Sequence, residues 1–194
     1  MTDLKTPIER FEAALQRATD AGLHLPNGVA LATVDSEGRP SVRVVLLKDV
    51  DLRGFVFYTN LDSRKSRELQ SNPKASLCFW WPTLEEQVRV EGVVELVDNA
   101  EADAYWQSRP RGSQLGAWAS AQSEPLSSQQ VIVDEYARLE KKYQDRSIPR
   151  PPFWSGFRVT PDRIEFWRGR EDRLHERELF TRTDGGWEKT LLYP

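Results

Sequence analysis

Cysteine is nearly absent from this chain of 194 residues. Cys78 stands alone, which excludes an intrachain disulfide framework and any cluster of thiolate metal ligands. Histidine is almost as scarce: with only His24 and His175, a three-histidine zinc site is ruled out. No apolar run approaches the roughly 18 residues of a membrane-crossing helix. The opening MTDLKTPIERFEAAL mixes acids with bases, so no targeting segment is read there and a cytoplasmic protein is expected. An excess of positive charge is lacking too. Lys and Arg number 27 against 30 Asp and Glu, a net charge of -3, so the bulk footprint of a nucleic-acid binder is missing while a local anion site stays open. The G-x-S-x-G elbow, the Walker loop, the Rossmann glycine fingerprint and H-E-x-x-H are all absent. Serine hydrolase, P-loop and zincin readings therefore lose their usual support.

What is present has the composition of a folded domain. Hydrophobic residues make up 39% and charged residues 29%, away from the disordered range, and the length suits one domain. Residues 7–22 carry an apolar stripe at helical spacing (Ile8, Phe11, Ala14, Leu15, Ala18), with Pro7 in the first turn and Gly22 as the stop. Short β-type runs follow at Val29–Val34, Ser41–Leu47 and Gly54–Thr59, with a turn at Asp35–Gly38. A short helix is expected over 63–71, ended by Asn72-Pro73. Strands follow at Ala75–Trp81 and Gln87–Val97, the second bulged near Gly92. Asn99–Ser108 and Ser127–Tyr143 read as helices, and residues 148–154 as a stiff connector. Strands resume at Gly156–Val159, Arg163–Trp167, Glu176–Arg182 and Trp187–Leu192, the last two joined through Asp184-Gly185-Gly186. Because the sheet resumes after the helices, residues 1–194 read as one mainly antiparallel barrel domain with a helical insertion at about 99–143.

Three clusters carry chemistry. Arg43 interrupts a Val- and Leu-rich strand, and a long cation there must find water, a carboxylate or an anionic ligand. Together with Lys48 and the helix-opening Ser63-Arg64-Lys65 it suits a phosphate, although a solvated turn is the plainer alternative. Tyr105, Arg109, Arg111 and Ser113 form a second set, fitting either a phosphate grip or ordinary helix-end capping. Arg173, His175 and Arg177 alternate, so in an extended stretch they share one face, where three potential cations repel one another unless an anion sits among them. Seven tryptophans fill core or interface, or stack on a planar ligand. Two anion grips and a stacking surface suggest a phosphorylated cofactor with a phosphorylated substrate.

Nine stretches in order carry a resemblance: RVVLLK (43–48), GFVFYTN (54–60), SRKSREL (63–69), QVRVEG (87–92), YWQSRPRGSQLGAW (105–118), QSEPLSS (122–128), FWSGFRV (153–159), IEFW (164–167) and RLHER (173–177). From about Pro26 to Pro194 the chain resembles the pyridoxamine 5'-phosphate oxidase family. The resemblance implies an antiparallel split β-barrel of the FMN-binding type with a small helical subdomain. It also implies a homodimer with two composite sites, and oxidation of pyridoxamine or pyridoxine 5'-phosphate to pyridoxal 5'-phosphate by O2, releasing H2O2. On the matching positions, Arg43, Lys48, Tyr58, Thr59, Ser63, Arg64, Lys65 and Gln87 are implied FMN contacts. Gln122, Ser123, Trp167 and Arg177 are implied as further FMN contacts from across a subunit interface. Lys48, Tyr105, Arg109, Ser113, Arg173 and His175 are implied substrate contacts, the last two over the reacting carbon. The chain departs from the family pattern at Trp80 (usually proline), Glu86 (usually basic or polar) and Leu191 (usually arginine), and its short lead implies that a lid-forming arm is missing. The alternatives are a related flavin oxidase of another aromatic substrate, as in phenazine biosynthesis, and a non-catalytic FMN or pyridoxal phosphate binder.

Overall fold

The computed structural model describes residues 6–194; the expectation about a lid-forming arm rests in part on residues 1–5, which lie outside that range. The first helix, α1 (Pro7–Asp20), starts with Pro7 in its first turn and with Thr6 as its cap. The Thr6 hydroxyl accepts the Glu9 backbone N–H while the Glu9 carboxylate accepts the Thr6 N–H, so two orphan donors are satisfied reciprocally. Its apolar stripe plugs the sheet. Phe11 is fully buried, its ring 4.8 Å from Phe55 and 4.7 Å from Phe79.

Among the described residues nine strands form one antiparallel sheet: β1 (Gly28–Val34), β2 (Pro40–Leu46), β3 (Asp49–Asp51), β4 (Gly54–Asn60), β5 (Lys74–Trp81), β6 (Glu86–Leu96), β7 (Trp154–Arg168), β8 (Glu176–Thr183) and β9 (Gly186–Leu191). The order is β2-β1-β5-β6-β7-β4-β3, with β8 branching from β7 and β9 from β8. Only Leu47 and Lys48 separate β2, at one end of that order, from β3, at the other. The sheet therefore curls into a half-closed barrel, the split barrel expected from the resemblance. Helix α2 (Arg64–Ser71) follows β4. Between β6 and β7 lie α3 (Asn99–Ser108), α4 (Arg111–Ala119) and α5 (Gln129–Lys142). These three helices share a second core of Trp106, Leu115, Leu139, Tyr143, Ile148 and Trp154. Among the described residues no helix is long and apolar enough to cross a membrane.

Two strand expectations are corrected. Gly156–Val159 and Arg163–Trp167 are one 15-residue strand that runs through Pro161. A proline cannot donate to a ladder, and here it sits at the bulge between Glu91 and Gly92, where the register skips Asp162. Gly92 is needed there, since a Cβ would stand 2.0 Å from the Thr160 carbonyl oxygen. The expected extended run through Arg173 and His175 is also absent. Residues 171–173 make a tight turn with Asp172 and Arg173 at φ 54° and 61°, and β8 begins only at Glu176. Helix α4 and the short β3 went unread in the sequence, α4 because Gly112 and Gly116 depress helix propensity.

Candidate active site

A cleft of about 970 Å³ opens between β2, β4, the start of α2 and α4, near the upper end of the size range of small-molecule sites. It brings together Arg43, Lys48, Tyr58, Thr59, Arg64, Lys65, Tyr105, Arg109, Ser113, Gln122 and Ser123, eleven of the residues expected to form a site. The first two sequence clusters, apart from Ser63 and Arg111, thus meet in one place.

Lys65 is the centre of the first grip. It is 8% exposed, and its Nζ donates to Thr59 Oγ1 (3.0 Å), Ser63 Oγ (3.0 Å) and Gln122 Oε1 (2.9 Å). All three acceptors are neutral, so the ammonium charge has no carboxylate of its own. Burial, then the nearby Arg43 guanidinium, pull its pKa down to about 8 against the opposing pull of Glu68. Ser63 is a partial exception to expectation: it is fully buried, its hydroxyl donates to the Asn60 carbonyl, and it supports Lys65 without lining the cleft. Arg64 and Arg43 share the buried Glu68, which sequence reasoning passed over. Glu68 accepts from Arg64 Nε (2.8 Å), Ser41 Oγ (2.6 Å), Arg43 Nη2 (3.2 Å) and Thr33. Burial works to raise its pKa, but the hydrogen bonds from Ser41, Thr33 and Arg64 and the charge of Arg43 outweigh it and hold the carboxyl at about 2. The i,i+4 spacing of Arg64 and Glu68 on α2 was the readable signal.

Arg109 is the centre of the second grip. Its guanidinium lies 4.7 Å from the Trp154 ring centroid and 5.2 Å from that of Trp106, and its buried Nη1 has no hydrogen-bond partner. Burial lowers its pKa from the ordinary arginine value. Beside it Tyr58, Tyr105 and Trp154 lie nearly parallel, Tyr58 4.0 Å from Tyr105 and 5.3 Å from Trp154. Burial, with help from the Glu101 and Asp49 carboxylates, pushes the Tyr58 phenol up to about 12 and keeps it protonated. Arg111 does not join this grip. It donates to the Arg146 carbonyl at 3.1 Å and to that of Tyr143, the helix-end capping that the sequence left open.

Gln122 and Ser123 correct another expectation. They stand in the cleft of the same chain, without an interface between, because the segment after α4 folds back on α2. Gln122 meets Lys65, and Ser123 Oγ accepts the Arg64 backbone N–H at 3.1 Å, with Ser123 at φ 78°. The remaining expected residues lie elsewhere. Gln87 and Trp167 are register partners on β6 and β7, Arg177 is opposite Trp167 on β8, and none of them lines the cleft. Arg173 is exposed, and the His175 ring packs 4.6 Å from Trp167 with Nδ1 accepting the Arg170 backbone N–H. The expected repulsion among Arg173, His175 and Arg177 is relieved in part by a carboxylate, since Arg177 Nε donates to Glu165 at 2.8 Å. Of the departures, Trp80 is half-exposed and meets Trp167 edge-on at 5.9 Å. Glu86 accepts from Arg17 at 2.7 Å, and Leu191 is exposed at the end of β9.

Residues 15–143 match the family described as pyridoxamine 5'-phosphate oxidase, and residues 154–194 that described as the pyridoxine 5'-phosphate oxidase C-terminal dimerisation region. The chain is 58% identical over 188 residues to the pyridoxine/pyridoxamine 5'-phosphate oxidase of Myxococcus xanthus, a match that covers 97% of this chain and 91% of the relative. To the protein of that name from Synechocystis it is 56% identical over 188 residues, covering 97% and 88%. Among solved structures it is similar to PhzG from Burkholderia lata in complex with tetrahydrophenazine-1-carboxylic acid, with a TM-score of 0.94, 33% identity and coverage of 100% and 95%. Two family matches that together span most of the sequence, and identities above half over 97% of its length, establish that the chain belongs to the pyridoxine/pyridoxamine 5'-phosphate oxidase family.

Proposed function

We propose that this chain oxidises pyridoxamine 5'-phosphate and pyridoxine 5'-phosphate to pyridoxal 5'-phosphate with O2, using FMN. The observation that carries the reading is one cleft holding two separate cationic grips, Lys65 with Arg43 and Arg64, and Arg109 with Tyr105 and Ser113. A phosphorylated cofactor and a phosphorylated substrate need that arrangement, and the family assignment supplies their identities. The donor set fits FMN: a buried ammonium on neutral oxygens and two guanidinium groups suit a terminal phosphate monoester. The orphaned Arg109 Nη1 fits the substrate phosphate.

FMN, when bound, supplies the two-electron acceptor that no side chain of this protein offers. The chain itself binds and orients. Lys65, Arg43 and Arg64 hold the cofactor phosphate, with Thr59, Gln122, Ser123 and Tyr58 alongside. Lys48, Tyr105, Arg109 and Ser113 hold the substrate phosphate and so fix the distance of its C4' carbon. Gln87, Trp167, Arg173, His175 and Arg177 lie off the cleft of their own chain, and a second copy delivers them, making a homodimer with two composite sites. The matched dimerisation region over 154–194 supports this arrangement. Arg173 and His175 then stabilise charge at the substrate ring, His175 with Nδ1 engaged by Arg170 and Nε2 left as its donor. Overall, two hydrogens leave the substrate, O2 becomes H2O2, and water releases ammonia from the amine.

Anaerobic mixing with pyridoxamine phosphate, pyridoxine phosphate and their unphosphorylated forms tests the reading. The two phosphate esters are expected to bleach the flavin absorbance, and mass analysis of the extracted cofactor should give FMN. Bleaching by a dihydro-aromatic acid alone would move the protein to a phenazine-type oxidase, and no bleaching by any of them would make it a binding protein.

A further inference from the structure

Arg109 is a half-buried cation that the chain leaves without a counter-ion. Among the described residues most half-buried or buried arginines of this protein sit on a carboxylate: Arg43 on Glu68, Arg158 on Asp51 and Glu101, Arg177 on Glu165. Arg109 has none, and one of its terminal nitrogens is buried without any partner. Its surroundings are aromatic instead. Trp154, 4% exposed, presents a ring whose centroid is 4.7 Å from the guanidinium carbon, and Trp106, 2% exposed, lies at 5.2 Å. The two indoles meet edge-to-face at 4.9 Å and 68°. Each is fixed from outside: Trp106 Nε1 donates to the Ile148 carbonyl at 2.8 Å, and Trp154 stacks on Tyr58 at 8°.

We propose that Trp154 is a positioning residue for the substrate: with Trp106 it holds the Arg109 guanidinium by its ring face, aimed into the cleft with its charge unneutralised. This inference rests on the reading of Arg109 as the grip on the substrate phosphate. A carboxylate could fix the same side chain, but it would neutralise the guanidinium and repel the incoming phosphate. An indole face attracts the cation through its quadrupole, strongly when water is excluded, and takes none of its N–H donors. Holding a long side chain in one rotamer ahead of binding also removes ordering entropy from the binding step. The arrangement thus favours a phosphate monoester at the substrate end of the cleft, through a residue remote from the reacting carbon.

The test compares Trp154→Leu and Trp154→Phe in the full-length, flavin-loaded protein, using pyridoxamine phosphate and unphosphorylated pyridoxamine. For Trp154→Leu the KM for the phosphate ester should rise about tenfold, with kcat within about twofold and flavin content unchanged. The unphosphorylated amine, which has nothing for Arg109 to hold, should keep its kcat/KM. Phenylalanine, a weaker face, should raise the KM for the ester about threefold only. An unchanged KM in the leucine variant overturns the proposal, and so does an equal loss on both substrates, which would mark a merely structural tryptophan. If leucine is not tolerated at this buried position, the phenylalanine variant decides, and no split between its two substrates overturns the proposal. A wild-type protein that does not oxidise the ester would instead overturn the function proposed above. A rise in KM for Arg109→Ala with none for Trp154→Leu would sink this inference alone.

Discussion

Lys65 carries three neutral oxygens on its ammonium group, with the carboxylate of Glu68 one step away on Arg43 and Arg64. Arg109, in the same cleft, carries two indole faces and an empty Nη1. The first cation sits in a shell of neutral acceptors that is ordered before any ligand arrives, and burial, then the Arg43 charge, lower its pKa. The second is held by surfaces that use none of its donors. The difference teaches how one cleft can separate a ligand that stays from one that must leave. A polar shell ordered in advance suits a ligand that stays, because little has to be fixed when it binds. A guanidinium with a free donor binds through contacts that form and break with each turnover.

Removing Lys65 should have the largest effect. Lys65→Met deletes a buried charge and its hydrogen bonds, each worth on the order of 1.5–3 kcal/mol when charged. FMN affinity should fall roughly a hundredfold, while riboflavin, which lacks the phosphate, should bind nearly as before. Fluorescence titration of the flavin-free protein measures both, and a variant that keeps its FMN would refute the assignment of the first grip.

Arg109→Ala should act more weakly and on the other ligand. The KM for pyridoxamine phosphate should rise roughly ten- to a hundredfold, since one charge-assisted grip is lost, while kcat changes by less than about threefold. Flavin content should stay full. Loss of flavin at unchanged KM would mean that the two grips are assigned to the wrong ligands.

The smallest expected effect is a pH dependence that only the first grip should show. Lys65 titrates at about 8 in the fold because of burial and Arg43, against 10.5 ordinarily. Between those values the unfolded chain binds more protons than the folded one, so the stability of the flavin-free protein should rise with pH across that window. FMN affinity should run the other way, because an uncharged Lys65 meets the phosphate less well. Denaturant midpoints and flavin titrations from pH 7.5 to 10.5 would show opposite slopes, both absent in Lys65→Met. Parallel slopes in the wild type would mean that another group titrates.

Much of this was readable where chemistry and local pattern coincide. Arg43 was conspicuous because strands of Val and Leu rarely hold a cation, and Ser63-Arg64-Lys65 because it opens a helix after a strand. The α3 bounds, Asn99–Ser108, are those of the helical stretch read in the sequence, and in the structure Asp98 caps it by accepting the Glu101 N–H. Other features were hidden for physical reasons. Glu68 and Trp154 look like a solvated helix residue and a core aromatic until their neighbours are known. Arg173 and His175 read as an alternating strand because periodicity cannot register a turn at positive φ. Pro161, between the two expected strands, is absorbed by a bulge in which β7 carries the extra residue Asp162.

By itself the sequence determined most of the barrel's strands, the helical stretch between β6 and β7, the exclusion of thiolate and three-histidine metal chemistry, and the residue types of both grips. These follow from side-chain period, turn chemistry and the count of available ligands, all of which are local. Only the tertiary structure decided that the two grips share one cleft, that Gln122 and Ser123 join the first of them within the same chain, and that Gln87, Trp167 and Arg177 do not line it. Those outcomes depend on how the sheet curls and where the segment after α4 returns. Both are set by packing among residues far apart in the chain, such as Phe11 against Phe55 and Trp106 against Trp154, which no local window contains.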